Sequence, residues 1–82
     1  MKILYFASLR ETLGVSSEEL VLPTDVTTVN DLRAHLAARG DAWNTLMTAK
    51  NLRAAVNQVM AGLETPITAG DEVAFFPPVT GG

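Results

Sequence analysis

The chain has no cysteine. A disulfide framework, a thiolate nucleophile and a zinc ribbon are therefore excluded. Histidine occurs once, as His35, so no second histidine or cysteine exists to complete a metal site or a nucleophile-base pair. Basic charge is scarce too. Six Lys and Arg stand against nine Asp and Glu, a net charge of −3, and the cations are scattered singly. With no stripe to neutralise phosphates, neither nucleic acid nor an anionic membrane is an expected partner. Long hydrophobic runs are missing as well: the apolar stretch at residues 3–7 is too short for a signal-peptide core and runs into Arg10 and Glu11. A soluble, cytoplasmic protein is the expectation. Gly-x-Gly-x-x-Gly and Gly-Lys-Ser phosphate loops do not occur.

What is present must build one small domain over residues 1–82, without interior linkers or repeats. A chain this short buries only ~60–65% of its unfolded surface, and 11 of its 39 apolar residues are alanine. The larger apolar side chains must carry the core. Residues 2–7 are apolar on both alternation parities, Leu4 and Phe6 against Ile3 and Tyr5, which predicts a strand covered on both faces. Ser8-Leu9-Arg10-Glu11 has the spacing of a capping box, with Gly14 placed to end a short helical turn. A second strand is predicted at residues 18–22, stopped by Pro23. Thr28 is a natural N-cap with Asp31 at the third helical position, and Val29, Leu32 and Leu36 fall on one helix face before Gly40 ends it. A second capped start at Asp41 leads to Trp43, Leu46 and Met47. Residues 52–61 support two readings: Ala54, Ala55, Met60 and Ala61 favour helix, whereas Val56 and Val59 around Asn57-Gln58 suit a hairpin. Pattern alone does not choose. Thr68-Ala69-Gly70-Asp71 is turn chemistry leading into a strand at residues 72–76, ended by Pro77-Pro78. The fold class is α+β, a mixed sheet packed on one main helix.

No catalytic constellation emerges. His35 reads as a helix-surface residue near a C-terminus, where its charge suits the dipole. Asp71 and Glu72 are adjacent, but neighbours on a strand face opposite ways, so no metal is expected there. The informative feature is the chain's end. After Glu72 no side chain is charged, and the sequence finishes Val73-Ala74-Phe75-Phe76-Pro77-Pro78-Val79-Thr80-Gly81-Gly82. Two prolines stiffen the exit and two glycines leave the last carbonyl unobstructed. From residue 76 onward such an arm spans at most ~20 Å, long against a radius of gyration of ~12 Å. A terminal Gly-Gly alone reads as a frayed end. The aromatic, proline and Val-Thr residues before it favour instead a carboxylate that is itself the reactive group. Of the adjacent pair Phe75 and Phe76, only one can enter the core. The other belongs either to an apolar partner-binding patch or beneath the short helix at Trp43.

The ending from Gly70 to Gly82 resembles the small-subunit family of molybdopterin synthase, the MoaD sulfur carriers, as do Tyr5-Phe6-Ala7-Ser8-Leu9-Arg10-Glu11 and Ala54-Ala55-Val56-Asn57-Gln58. The similarity spans the chain but is generic at residues 14–27 and 40–50. It implies a β-grasp, ubiquitin-like fold, with strands around Asn57-Gln58. It further implies that Gly82 is adenylated with ATP by a ubiquitin-activating-like enzyme, converted to a thiocarboxylate with sulfur from a persulfide donor, and used to sulfurate cyclic pyranopterin monophosphate. Gly81, Thr80, Val79, Pro78 and Pro77 would form the arm inserted into the large subunit, which would supply the catalytic side chains in a heterotetramer of two small and two large subunits. Phe6 and Phe76 would lie in the docking patch. No bound metal or resident cofactor is implied. A carrier for thiamine or tRNA thiolation, and a ubiquitin-like binding module with an unactivated tail, are the alternatives.

Overall fold

The computed structural model describes residues 1–49 and 51–78. Five strands form one mixed sheet: β1 (Lys2–Tyr5), β2 (Ser17–Glu19), β3 (Arg53–Val56), β4 (Val59–Ala61) and β5 (Glu72–Phe76), in the order β2-β1-β5-β3-β4. Its centre is the parallel pairing of β1 with β5, while β2, β3 and β4 join antiparallel. Helix α1 (Ala7–Leu13) follows β1 directly, α2 (Val29–Ala37) is the main helix, and a 3₁₀ turn (Asp41–Asn44) runs into the short α3 (Thr45–Thr48). The fold is a β-grasp.

The core forms between one sheet face and the helices. Ile3, Tyr5, Val73 and Phe75 meet Val29, Leu32 and Leu36 of α2, Leu46 of α3 and Leu9 of α1. Helix α2 starts as the sequence predicts. The Thr28 hydroxyl accepts from the Asp31 N–H at 3.1 Å while the Thr28 N–H donates to the Asp31 carboxylate at 3.2 Å, closing a capping box. Gly40, with φ of 82°, donates to the Ala37 carbonyl and turns the chain out of the helix. Gly14 likewise takes a left-handed conformation, φ 78°, at the end of α1.

Residues 52–61 are a hairpin. Asn57 and Gln58 both have positive φ, 51° and 69°, as a two-residue primed turn requires. The Asn57 side chain holds that turn to β5, accepting from the Glu72 N–H at 3.0 Å and donating to Asp71 at 2.9 Å.

Four expectations are corrected. The predicted Ser8 cap does not form: Phe6 occupies the N-cap position without a side-chain bond, and Ser8 lies inside the first turn. The cause is continuation of the sheet ladder, since the Phe6 N–H still donates to the Phe75 carbonyl before the chain turns at Ala7, φ 55°. Strand β2 ends at Glu19, well before Pro23, because β1 offers it partners only from Lys2 to Leu4. Asp41 does not cap the next turn; Gly40 holds that position and Asp41 lies in the first turn with φ 52°. Finally, β1 is covered on one face only. Ile3 and Tyr5 are sealed in the core, whereas Leu4 is half-buried and Phe6 exposed.

A polar tie crosses the edge of this core. The Tyr5 hydroxyl donates to Glu18 at 3.0 Å, and Arg39 forks onto the same carboxylate at 2.8 and 2.7 Å with its guanidinium 4.4 Å from the centre of the Trp43 ring. The bond from Arg39 lowers the Glu18 pKa, and burial followed by the Glu18 charge raises that of Tyr5. Asp31 and Asp71 are also lowered, chiefly by bonds from Thr27 and Asn57 respectively.

Because these carboxylates have depressed folded pKa values, their stabilisation is complete above the ordinary range of ~4 and is lost as pH falls through the folded values. Denaturant titrations should therefore show a falling midpoint below about pH 4. Tyr5 works in the opposite sense: its raised folded value favours the native state up to about pH 10, with loss above it. Since Tyr5 is the sole tyrosine, its phenolate absorbance should appear together with unfolding rather than before it. A normal titration in a still-folded protein would contradict the buried hydroxyl.

Candidate functional site

The ladder that builds the sheet also sorts the aromatic residues. Tyr5 pairs with Phe75 in the β1–β5 register, and both rings turn inward, stacked at 6.4 Å with a 16° interplanar angle. Phe75 is 1% exposed. Extended alternation sends the next residue of each chain to the other face, so Phe6 and Phe76 leave together on the side away from the helices. Phe6 is 45% exposed and Phe76 half-buried. The ring against Trp43 belongs to Tyr5, at 5.4 Å between centroids. The core phenylalanine is therefore Phe75, and Phe76 belongs to the outer face.

Register extends that face across the sheet. One rung reads Leu4, Ala74, Ala55 and Met60, and the next places Arg53 opposite Phe76. Ala74 and Ala55 form a low floor, 9% and 8% exposed, between taller neighbours. Met60 stands out at 62% exposure. At the β4 edge a cavity of about 170 Å³ opens on the core side of the sheet, lined by the Ala54, Ala61 and Phe75 rung together with Leu52, Arg53, Met60 and Leu63. The outer face itself is a shallow apolar surface bordered by one guanidinium. Such surfaces on small proteins mark docking sites. Leu4 is legible in the sequence, since it shares a strand parity with Phe6, whereas Met60 and the alanine floor escape sequence reading because their place on this face depends on strand register. The two-residue Asn57-Gln58 turn, once chosen, assigns Met60 to Ala55.

Pro77 and Pro78 are half-buried where the chain leaves β5 beyond Phe76. Val79, Thr80, Gly81 and Gly82 lie outside the described residues. His35 is exposed on α2, away from any carboxylate cluster, and no group of three His, Asp or Glu side chains able to hold a metal ion occurs among the described residues. Asp71 is occupied structurally by Asn57 and by the Thr68 N–H at 2.8 Å. Among the described residues no helix is long and apolar enough to cross a membrane.

Residues 3–82 match the ThiS family. The chain belongs to the ThiS family. Within it, the chain is 48% identical over 82 residues to the molybdopterin synthase sulfur carrier subunit of Escherichia coli K12, covering 100% of this chain and 99% of that protein. The resemblance to the MoaD carriers is thereby established. Among solved structures, SAMP1 from Haloferax volcanii superposes with a TM-score of 0.79 at 29% identity, covering 100% of this chain and 98% of that one. A chain of the complex of subunits 1 and 2 of the molybdopterin-converting factor from Helicobacter pylori shares the fold, with a TM-score of 0.62 at 22% identity over 99% of this chain and 96% of that one.

The two phenylalanines of β5 should respond differently to truncation. Phe75→Ala opens the packed core and is expected to cost about 3–5 kcal/mol, whereas Phe6→Ala on the outer face should cost less than about 1 kcal/mol. Chemical denaturation of both variants measures the contrast, and equal losses would contradict the division between faces.

Proposed function

We propose that this chain is the sulfur carrier subunit of a molybdopterin synthase, a single cytoplasmic domain over residues 1–82 whose arm, residues 77–82, carries the reactive group. The observation that carries this reading is the convergence of Phe6 and Phe76 on the outer sheet face where β5 runs into Pro77 and the sequence leading to Gly82. A docking face at the root of an uncharged Gly-Gly arm suits a protein that presents its own terminus to a partner. The 48% identity to a protein of that name supports the assignment of pathway.

The chemistry follows from an unreactive carboxylate. An adenylating enzyme joins the Gly82 carboxylate to AMP, releasing pyrophosphate from ATP. A persulfide sulfur then attacks the acyl carbon and AMP departs; reduction of the remaining S–S bond by a thiol leaves the thiocarboxylate. Gly81 has no side chain to obstruct either approach. The outer face docks on the large subunit, the arm from Pro77 through Pro78, Val79 and Thr80 enters its active site, and the sulfur passes to cyclic pyranopterin monophosphate. Catalytic side chains reside in the large subunit, in an assembly of two small and two large subunits. The carrier contributes position and a disposable sulfur.

Mass spectrometry after incubation with ATP, the activating enzyme and a persulfide donor should show sulfur in place of oxygen on the C-terminal peptide, trapped by alkylation. Localisation is essential, because oxidising Met1, Met47 or Met60 adds the same nominal mass. A shift confined to methionine peptides would sink the reading. Deletion of Gly82 should abolish sulfur transfer while leaving the thermal transition unchanged; retained function would indicate an unactivated binding module. Stable binding to a thiamine thiazole synthase but not to the molybdopterin synthase large subunit would reassign the pathway.

A further inference from the structure

We propose that Met60 is a reversible oxidation site whose sulfoxide weakens docking of the carrier on its large-subunit partner. This rests on the docking face described above and adds a modification site to it. Three methionines occur in the chain. Met1 is half-buried and packs against the core, and Met47 lies on α3, which packs on α2 at the helix side of the molecule. Met60 alone belongs to the outer rung, opposite Ala55, and at 62% against 43% for Met47 it is the more exposed. It also lines the cavity at the β4 edge, together with Arg53 and Leu63. A flexible thioether in that position adapts readily to an apolar partner.

Oxidation alters that chemistry without touching the core. A sulfur lone pair attacks a peroxide oxygen, the O–O bond breaks, one oxygen stays on sulfur and the other leaves as water. The sulfide loses two electrons and the peroxide gains them. The product is polar and chiral, and a thiol-dependent sulfoxide reductase returns it to the thioether. In the free carrier the new S=O oxygen is solvated. On docking it must give up water against an apolar surface, a penalty that appears only in the complex. Ala55, directly opposite, offers no side-chain donor, and Arg53 is the one residue sharing the cavity lining with Met60 whose side chain can donate. The free carrier is therefore the susceptible form, and the complex shields the site.

The test uses full-length carrier with its unmodified carboxylate, exposed to hydrogen peroxide until peptide mapping shows conversion at Met60. Affinity for the molybdopterin synthase large subunit is then measured by calorimetry for wild type, Met60→Leu and Met47→Leu, each against its own untreated form. Peroxide should weaken wild type and Met47→Leu roughly tenfold or more, leave Met60→Leu at its untreated affinity, and spare Met60 when added to the preformed complex. Met60→Gln should bind weakly without oxidant. Equal losses for wild type and Met60→Leu, or full Met60 conversion with unchanged affinity, would overturn the site while leaving the docking reading intact. Failure of untreated wild type to bind the large subunit would overturn both.

Discussion

The parallel register between β1 and β5 is the constraint on which the molecule depends. It places the first strand beside the last at the centre of the sheet, so two distant segments must meet before either face is complete. Tyr5 beside Phe75 puts two large rings into the core, and the strict alternation of extended chain then puts Phe6 and Phe76 outside. A shift of one residue would exchange these sets, burying the outer face and exposing the core. The same ladder that stabilises the domain therefore creates its apolar surface beside the point where the chain leaves β5 through Pro77.

Polar ties keep that register from slipping. At one edge Tyr5 and Arg39 converge on Glu18, joining β1, β2 and the chain after α2. At the start of β5, Asn57 clamps the hairpin turn to Asp71 and Glu72. The Arg39 fork is strong in geometry but the Arg39 side chain is 34% exposed to water, so its net contribution is modest. Its value is positional: with Trp43 under the guanidinium, it holds the 3₁₀ turn over Tyr5.

The parts legible in the sequence are those whose signals are local. Thr28 and Asp31 announced α2 because a capping box needs only three-residue spacing, and the strand of residues 72–76 is bounded by turn chemistry and prolines. Signals that depend on distant pairing were not readable. The length of β2 is dictated by where β1 begins, and Ser8 has cap spacing that the ladder at Phe6 overrides. Apolar residues on both parities of β1 suggested cover on both faces; in sequence, a surface awaiting a partner looks the same as a core. The alternation of Phe75 and Phe76 exposed one half of the candidate site. Met60 stayed hidden because helix and hairpin readings of residues 52–61 assign it to different faces.

A carrier of this kind faces conflicting demands. In the proposed role it must expose enough apolar area to be recognised by its partners while limiting contact between copies of itself. The outer face meets this with relief: Ala55 and Ala74 lie nearly flush, while Phe6, Phe76, Met60 and Leu4 are the apolar side chains that rise around them, with Arg53 at the border. A low floor with few tall groups gives a partner shape to grip while limiting the apolar area presented to a second copy. The net charge of −3 adds repulsion between carriers. In the proposed mechanism, recognition and reactivity are divided between the sheet face and the terminal carboxylate, so each partner can read the same face while acting on the tail in a different chemical state.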